Sequence, residues 1–445
     1  MEQARTLYKK EIDFAALALQ SREFAKHLRF NGQLDFHDEA AVRQLTISLL
    51  EHDFGLHVKL PKDRLCPPVS VILTCRNEHP SLMELNYVIW IQDLLDTSTA
   101  NIRENYDPDR EVAGLDVGTG CCSIYPLLGC KVRPRWRFIA TDIDEQNVKT
   151  ARENVSRNGL DSKIQIIKTN AEDLFFAPDV FKQEKLDFTM CNPPFYASEH
   201  DMLSSAETKC HVPFSACTGA AVEMIVEGGE TAFVARMIEE SRQLQERIQW
   251  YTSMLGKLSS ITTLVEVLIE YGNNNYAVTE FVQGNKTKRW ALAWSWGDRR
   301  PSMPLARNIP GFPRHLLPFP AEFTFTLPTG AHVDSVIASM NGEFDTLPWF
   351  WKWDKNLSAG VGFASENVWS RQARRKMKLA GQARSGKLDA APTEVELGVR
   401  IQVRLLSGTG EEAREVQVTI RWIQGTDSVI FESFCGMAKR KIEGK

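Results

Sequence analysis

The pattern of apolar and polar positions divides the chain into three parts. Up to about residue 50, apolar residues recur at helical spacing, as in Phe14, Leu17, Leu45 and Leu49, which predicts a small helical module. From about residue 85 to residue 300, a buried helix over 85–95 is followed by short apolar runs separated by helical stretches. Beyond residue 320, longer alternating runs appear. The pattern therefore predicts more than one folding unit.

The middle part has the pattern of a parallel sheet. Its apolar runs cover 114–117, 138–140, 164–167 and 188–190, and a helix over 145–159 lies between the second and third runs. Strands that alternate with helices are typical of an α/β fold with a parallel sheet. Two later stretches, 259–270 and 289–296, are also predicted as strands, the second as a late strand of this sheet.

A proline-rich stretch marks the predicted domain boundary. Six prolines between residues 300 and 320 are too many for a helix or a central strand, so 301–320 is predicted to be an interdomain linker. The predicted domains are then a helical module at 1–50, an α/β domain at 51–300 and a smaller α+β domain at 321–445. The last domain combines three alternating strands with two helices around a basic loop: strands 322–326, 395–406 and 416–423, helices 333–340 and 433–441, loop 371–392.

Composition and charge limit the classes of protein that fit. The 445 residues are 43% hydrophobic and 25% charged, which is typical of a folded protein. No apolar run reaches the roughly 18 residues of a membrane span, and the first residues lack the apolar core of a secretory signal. We therefore expect an intracellular protein with no membrane partner. The net charge of −4 restricts nucleic-acid binding to local basic patches, such as 286–314 and 371–387, which solvated faces explain equally well.

Cysteine usage predicts neither disulfides nor a metal site. The nine cysteines include no Cys-x-x-Cys pair and no Cys/His cluster at zinc spacing. Reduced thiols fit a cytosolic or nuclear compartment.

Candidate cofactor-binding residues follow the first two predicted strands. Gly118, Thr119 and Gly120 form a glycine turn, where the backbone can approach a ligand closely. Ser123 stands where a dinucleotide fingerprint requires a third glycine, which counts against a nicotinamide or flavin enzyme. Asp142 ends the second strand, where a carboxylate can accept both ribose hydroxyls of a nucleoside or can cap the following helix. Alternatively, the glycine turn is only a tight loop that binds no ligand.

A third candidate site follows the next strand. Either Glu172 or Asp173 could read the exocyclic group of an adenine, and the sequence leaves the choice between them open. Asp144 is predicted to cap the helix over 145–159.

The most informative segment is Asn192, Pro193, Pro194 and Phe195, directly after the fourth strand. Proline has a carbonyl acceptor but no N–H donor, so the Asn192 side-chain oxygen and the Pro193 carbonyl can present acceptors alone. Two acceptors that bind both hydrogens of a planar amine would free its lone pair for attack, while Phe195 stacks on the substrate. The alternative is a purely structural role, in which the prolines end the strand and the phenylalanine belongs to the core.

These residues carry a family resemblance. The segment 192–195 resembles the motif of S-adenosylmethionine-dependent amino-methyltransferases. Over about 13–296 the chain looks like the U6 small nuclear RNA adenine N(6)-methyltransferase family, whose bacterial relatives methylate an adenine of large-subunit ribosomal RNA. The segments that carry this resemblance are 85–90, 116–120, 124–129, 190–195, 227–230, 254–257 and 289–294.

The resemblance implies a fold, a cofactor and a partner. It implies a Rossmann-like class I methyltransferase sheet in which Gly118 and Asp142 hold S-adenosylmethionine and 192–195 hold an adenine. The partner would be structured RNA, a hairpin like that of U6 small nuclear RNA, in the nucleus. The helical module and basic surfaces would grip this RNA through Lys9, Lys10, Lys286, Lys288 and Arg289. The C-terminal domain resembles an accessory RNA-binding domain of some eukaryotic members.

One position departs from the family pattern. Glu84 stands where the family places an arginine that contacts the cofactor carboxylate, after an unusual stretch at 70–83. Arg76 could substitute for that arginine, or the stretch is an insertion such as an unspliced intron read as protein. Two alternative functions stay open. The same two acceptors could bind the amide of a protein glutamine, which would make the protein a glutamine N-methyltransferase, and a loss of cofactor affinity through Glu84 would favour a non-catalytic RNA-binding scaffold. His200 and His211 are predicted to be ordinary residues of a mobile loop over 200–216.

Overall fold

The computed structural model describes residues 13–66, 83–99, 101, 106–177, 180, 185–207, 219–283, 287–327, 332–373, 375, 388–406 and 415–444. The predictions for Lys9, Lys10, Arg76, His211 and Lys286, and most of the loop at 371–392, lie outside these residues. The chain forms two compact units. The first contains Met1–Asp93, Tyr106–Trp296 and Asn308–Leu317, and the second contains Leu94–Asn105, Gly297–Arg307 and Pro318–Lys445.

The first unit begins with the predicted helices. They are α1 (Phe14–Gln20), α2 (Arg22–Ala25) and α3 (Glu39–Phe54). Asp13 and Asp38 precede α1 and α3, and their side chains accept the N–H groups of Ala16 and Ala40, both at 3.0 Å. Such caps satisfy N–H groups that have no partner within a helix, so the polar residues between the apolar stretches set where these helices start.

The sheet of the first unit is mostly parallel, which confirms the α/β prediction. Its strands run in the order β3-β2-β1-β4-β5-β7-β6-β8, and β7 is antiparallel to both neighbours. The elements are α4 (Met83–Thr97), β1 (Val112–Val117), α5 (Ile124–Val132), β2 (Trp136–Asp142), α6 (Glu145–Arg157), β3 (Ile164–Lys168), β4 (Leu186–Cys191), α7 (Glu199–Glu207), α8 (Ala221–Met224), α9 (Gly229–Leu244), β5 (Ile248–Leu255), α10 (Leu258–Glu270), β6 (Tyr276–Gln283), β7 (Thr287–Trp294) and β8 (Arg307–Asn308). The residues of α4 from Leu94 onwards and Arg307 of β8 are assigned to the second unit.

Strand order determines where a ligand can bind. The chain runs outward from β1 through β2 to β3 and then crosses to the other side of β1 as β4. Ligands of open α/β sheets bind at such a switch point, beyond the carboxyl ends of the strands. The glycine turn and Asn192 follow β1 and β4 directly, and Asp142 is the last residue of β2. All three predicted sites therefore meet at this edge.

Two predictions for the first unit were wrong. The stretch 259–270 is the helix α10, because Ile261, Leu264, Val265 and Leu268 lie on one helical face and are all fully buried. The predicted loop over 200–216 begins with the helix α7, where the N–H of Asp201 donates to the Ser198 hydroxyl at 3.1 Å, and its remainder from 208 lies outside the described residues.

The proline-rich stretch is not a single free linker. Ile309, Phe312 and Leu316 are each 5% exposed and belong to the hydrophobic core of the first unit. Residues 297–307, including α11 (Met303–Ala306), belong to the second unit instead. The prolines do prevent long regular elements, but the apolar residues between them are buried, so the predicted linker at 301–320 is corrected.

The second unit has the predicted α+β architecture. An antiparallel sheet has the order β10-β11-β12-β13-β9. Buried residues that include Met340 and Phe344 of one helix and Phe434 of the other share a hydrophobic core with the strands. The elements are β9 (Glu322–Thr326), α12 (Val333–Phe344), β10 (Phe350–Asp354), β11 (Ala359–Ala364), β12 (Leu397–Leu406), β13 (Glu415–Gln424) and α13 (Ser428–Ile442). Within the described part of the chain, no helix is long and apolar enough to span a membrane.

Candidate active site

A cavity of about 640 Å³ opens at the carboxyl ends of the parallel strands. A volume of this size is within the range of small-molecule sites, which span roughly 300 to 1,000 Å³. The turns after β1, β2, β3 and β4 all contribute to its wall. Of the predicted site residues, the following line it: Gly118, Thr119, Gly120, Asp142, Asp173, Asn192, Pro193 and Pro194.

The glycine turn leaves room for a ligand. Gly118 and Gly120 have φ angles of 73° and 65°, a conformation that side chains other than glycine rarely adopt. A Cβ atom at either position would have no other described atom within 4 Å. The backbone N–H groups of Gly118 and Thr119 both donate to the Thr141 carbonyl, at 2.9 and 2.8 Å, which holds the turn against β2. The two glycines therefore form an open cradle with a fixed backbone.

Asp142 links the first two turns. One carboxylate oxygen accepts the N–H of Gly120 at 2.8 Å, and the other accepts the N–H of Asp144 at 2.9 Å and Asn147 Nδ2 at 3.4 Å. Burial raises the pKa of Asp142, against these hydrogen bonds, which lower it. A carboxylate has about four acceptor positions, so Asp142 keeps acceptor capacity for ribose hydroxyls. Asp144 caps α6, as expected, by accepting the N–H of Asn147 at 2.9 Å.

Two further carboxyl groups are buried near this turn. Burial raises the pKa of Asp116, a hydrogen bond with Thr119 lowers it and the neighbouring Asp142 raises it, and together these effects bring it to about 7. Burial also raises the pKa of Glu84 to about 7, although the Arg289 charge lowers it. Glu84 lines the cavity, is 4% exposed, and its Oε2 has no hydrogen-bond partner among the described residues.

We predict that Glu84 makes the stability of the protein depend on pH. The pKa of this carboxyl group is 4.5 in the unfolded chain and about 7 in the folded protein. Its contribution to the free energy of unfolding is therefore fully present below pH 4.5 and is lost as the pH rises towards 7. Glu84→Gln removes this dependence. From about pH 5 to about pH 8, the free energy of unfolding of the variant should therefore rise relative to that of the wild type by on the order of 3 kcal/mol. Urea unfolding at both pH values measures this gain.

The control for this prediction is Glu270→Gln, which changes an exposed glutamate at the end of α10. This variant should have the same pH profile of unfolding as the wild type. A Glu84→Gln profile parallel to the wild-type profile would contradict the prediction.

The loop after β3 separates the two candidates that the sequence left open. Asp173 lines the cavity, whereas Glu172 is exposed and does not line it. Asp173 Oδ2 accepts both the backbone N–H and the side-chain amide of Asn170, at 2.7 and 3.0 Å. The sequence could not make this choice because the two residues are adjacent and only the closed turn orients them.

Asn192 presents a free acceptor to the cavity. It follows Cys191, the last residue of β4, and its Oδ1 atom is buried without a hydrogen-bond partner among the described residues. A buried polar atom without a partner costs free energy, so such an atom beside a cavity indicates a ligand group that will bind it. Pro193 and Pro194 line the cavity beside it and contribute no N–H donors.

Phe195 lies beside the cavity but does not line it. The Arg289 guanidinium lies over the Phe195 ring, 5.2 Å from its centroid. On another side the ring approaches Gly256 closely, because a Cβ atom there would lie 3.1 Å from Phe195 Cδ1. The stacking of Phe195 on a substrate ring stays a prediction.

A buried carboxylate that the sequence analysis did not single out supports this ring. Glu230 accepts hydrogen bonds from the N–H groups of Gly256 and Lys257 and from the Ser260 hydroxyl, at 2.6, 3.0 and 2.6 Å. It thereby fixes the turn after β5 under Phe195. The segments 227–230 and 254–257 are part of the family resemblance, but the sequence analysis gave them no role. The hydrogen bonds of Glu230 connect these two segments.

The two candidate RNA-binding residues that the structure describes already contact other side chains of the protein. Lys288 forms an ion pair with Glu280 at 3.1 Å, and Arg289 stacks on Phe195 as described above. Both residues lie on β7, at the edge of the site that contains Phe195. His200 is exposed in the first turn of α7, in agreement with an ordinary surface residue.

Comparisons with known proteins identify the family of the chain. A family model described as RNA methyltransferase matches residues 2–298. The U6 small nuclear RNA (adenine-(43)-N(6))-methyltransferase of Schizosaccharomyces pombe is 32% identical over 417 residues, which cover 93% of this chain and 96% of that protein. By contrast, the chain spans about half the length of the mouse and human relatives named METTL16, 55% and 54%.

Solved structures of a human relative have the same fold. The METTL16 catalytic domain in complex with MAT2A 3′UTR hairpin 1 matches with a TM-score of 0.54 at 37% identity, over 64% of this chain and 92% of that chain. The N-terminal domain of human METTL16 in complex with SAH matches with a TM-score of 0.51 at 36% identity, over 65% and 96% of the two chains. The chain therefore belongs to the RNA methyltransferase family that includes the U6 small nuclear RNA adenine N(6)-methyltransferases.

Proposed function

We propose that this protein transfers a methyl group from S-adenosylmethionine to the exocyclic N(6) amine of an adenosine in structured RNA, with a hairpin of U6 small nuclear RNA as substrate. The observation that carries the proposal is the buried Asn192 Oδ1, which has no partner among the described residues and borders the same cavity as Gly118, Gly120 and Asp142. The S. pombe relative is named for this reaction on this RNA.

The residues of the chain fit this cofactor. The cradle at Gly118 and Gly120 gives its amino-acid part room beside fixed backbone N–H groups, and Asp142 can accept its ribose hydroxyls. Asp173 lines the same cavity, and in this proposal its carboxylate accepts a hydrogen bond from the exocyclic amine of the cofactor adenine. The bound cofactor supplies an electrophilic methyl group on a sulfonium.

The chemistry of the target amine follows from the acceptors at Asn192 and Pro193. Asn192 Oδ1 and the Pro193 carbonyl accept hydrogen bonds from the two N–H groups of the adenine amine, one of which loses its proton to solvent after the nitrogen has gained the methyl group. The pull of these acceptors towards tetrahedral geometry localises the nitrogen lone pair, which conjugation with the ring otherwise delocalises. Preorganised dipoles of this kind stabilise charge that develops only in the transition state, and this is their main effect on rate.

The RNA must present an unpaired adenosine. A base inside a helix cannot reach Asn192, so the target lies in a loop or bulge or flips out of the stack. In this proposal the module at 1–50 and the residues Lys9, Lys10, Lys286, Lys288 and Arg289 contact phosphates, and the domain at 321–445 adds RNA affinity. A U6 substrate implies work in the nucleus, with the cytoplasm as a second compartment.

Nucleoside mass spectrometry of the product tests the proposed function. The full chain is incubated with S-adenosylmethionine and a U6-like hairpin, and the expected product is N(6)-methyladenosine at one loop position. A hairpin whose loop adenosines are replaced by guanosine is the matched control and should remain unmethylated. Methylglutamine in an added protein mixture, with unmethylated RNA, would favour the glutamine enzyme and overturn the proposal. Cofactor binding without any methylated product would overturn it as well.

Arg236 gives a prediction about cofactor affinity. Arg236 donates to the Ala171 and Asp173 carbonyls at 3.1 and 2.6 Å and stacks on Phe175, 4.5 Å from the ring centroid. It therefore fastens the loop that contains Asp173. Arg236→Ala should weaken binding of S-adenosylhomocysteine about tenfold, since hydrogen bonds from a charged group contribute roughly 1.5 to 3 kcal/mol. Titration calorimetry measures this affinity.

The same helix offers a matched control. Arg242 also lies on α9, pairs with Glu239 at 3.0 Å and stacks on Tyr271, 4.1 Å from the ring centroid. Because none of these contacts involves the loop after β3, Arg242→Ala should bind S-adenosylhomocysteine as the wild type does. Equal affinities of the two variants would show that Arg236 does not position the loop.

A further inference from the structure

Strands β4 and β5 stop pairing just before the Asn192 turn. Their paired residues are Leu186 with Ile248 and Phe188 with Trp250. On its other side, β4 stays paired with β1 as far as Cys191. One edge of β4 is therefore paired as far as its last residue, whereas the pairing along the edge that faces β5 leaves an opening after Phe188, just before the chain leaves the sheet for Asn192.

Two side-chain hydroxyls occupy the opening. If the parallel ladder continued, the N–H of Thr252 would donate to the Thr189 carbonyl, and the N–H of Cys191 would donate to the Thr252 carbonyl. Instead, the Thr252 hydroxyl donates to the Thr189 carbonyl at 2.7 Å, and the N–H of Cys191 donates to the Tyr87 hydroxyl at 3.5 Å. The two hydroxyl oxygens lie 2.6 Å apart. Since the Thr252 proton is used at Thr189, the Tyr87 hydroxyl donates to Thr252.

The position of the Tyr87 hydroxyl is fixed by its ring. Tyr87 lies on α4 and is fully buried. Its ring packs edge-on against Tyr125 at 5.6 Å and stacks against Trp90 at 6.3 Å, and Phe281 lies 6.2 Å away. Burial raises the pKa of the Tyr87 hydroxyl well above its usual range, so the hydroxyl keeps its proton at physiological pH. It acts as a rigid spacer between the two strands.

We propose that Tyr87 and Thr252 are positioning residues that hold the end of β4 apart from β5 and so set where Asn192 and Pro193 present their acceptors. This inference rests on the proposed function, because the acceptors that these residues position serve the proposed methyl transfer. It also gives a role to Tyr87 in the segment 85–90, which carried the family resemblance without one. Neither residue lines the cavity, so both act through the strand and not through a contact with a ligand.

The main test removes each hydroxyl separately. In Tyr87→Phe and Thr252→Val, the end of β4 loses its spacer, and displacement of the acceptors should lower the single-turnover rate about 10- to 100-fold. Binding of S-adenosylhomocysteine, measured by calorimetry, should be unchanged because the glycine turn and Asp142 are untouched. Thr252→Ser keeps the hydroxyl and should restore the wild-type rate.

Tyr251→Phe is the matched control. Tyr251 is the neighbour of Thr252 on β5, is equally buried, and its hydroxyl donates to the Gln245 carbonyl at 2.9 Å. Its loss removes one partly buried hydrogen bond away from β4, so the variant should keep the wild-type rate. Wild-type rates in Tyr87→Phe and Thr252→Val would overturn the inference. An equal loss in Tyr251→Phe or in Thr252→Ser would also overturn it, because stability alone would then explain the loss.

Hydrogen exchange separates this inference from the proposed function. In the protein without RNA or cofactor, the Cys191 amide loses its acceptor in Tyr87→Phe and should exchange faster than in the wild type, measured on a peptide that covers 189–192. Tyr251→Phe should exchange as the wild type does. If the wild type fails to methylate adenosine, the proposed function fails, and the exchange result alone decides the inference. Unchanged exchange in Tyr87→Phe would then overturn it.

Discussion

Asn192→Ala should lower the rate of methyl transfer about 100- to 1000-fold, which is the usual cost of removing one preorganised group from the transition state. The variant lacks the buried Oδ1 acceptor, so the target amine keeps its lone pair in conjugation with the ring. The glycine turn and Asp142 are unchanged, and S-adenosylhomocysteine should therefore bind with wild-type affinity. Single-turnover assays on a U6-like hairpin, together with calorimetry, measure both quantities.

Stability distinguishes this loss from unfolding. Because Asn192 Oδ1 has no hydrogen-bond partner among the described residues, replacement by alanine removes a polar atom that is costly to bury. The melting temperature of Asn192→Ala should accordingly equal or exceed that of the wild type. Asn192→Asp is the matched variant, since it keeps an acceptor oxygen of the same size, and it should keep more activity than Asn192→Ala. Full methyl transfer by Asn192→Ala would show that the amine binds elsewhere.

Asp142→Ala should weaken the binding of S-adenosylhomocysteine about 100-fold. Two ribose hydroxyls lose a charged acceptor, and hydrogen bonds to charged groups contribute roughly 1.5 to 3 kcal/mol each. The substitution also frees the N–H of Gly120, which Asp142 fixes at 2.8 Å, so the cradle loses part of its support. Titration calorimetry measures the dissociation constant, and urea unfolding checks that the sheet remains folded.

The control for Asp142 lies two residues away. Asp144 caps α6 and pairs with Arg64 at 3.1 Å, and asparagine is an equally good N-cap residue. Asp144→Asn should thus bind S-adenosylhomocysteine as the wild type does, and an equal loss in both variants would contradict the role of Asp142. In the wild type, protonation of Asp142 removes an acceptor. Since burial raises its pKa, affinity should fall on acidification at a higher pH than an exposed aspartate would cause.

Much of the candidate site was predictable because each part is local in sequence. A glycine turn, an acidic residue and an Asn-Pro-Pro turn each follow an apolar run directly, and parallel strands place their carboxyl ends at one edge. Spacing alone therefore predicted that Gly118, Asp142 and Asn192 would lie around one cavity, and they do. The helix α10 was missed because its many β-branched residues favour a strand, whereas the burial of one helical face decides its conformation.

The order of apolar runs and turns was enough to predict the α/β fold, the order of the functional turns and the residue types that can bind an amine and a nucleoside. Three features became visible only in the folded chain: which of Glu172 and Asp173 reaches the cavity, how Arg236 and Glu230 hold its loops, and how Tyr87 meets Thr252 across 165 positions of sequence. Spacing rules describe neighbours along one element. Contacts between distant elements depend on how helices and strands pack, and that packing is settled only when the whole core closes.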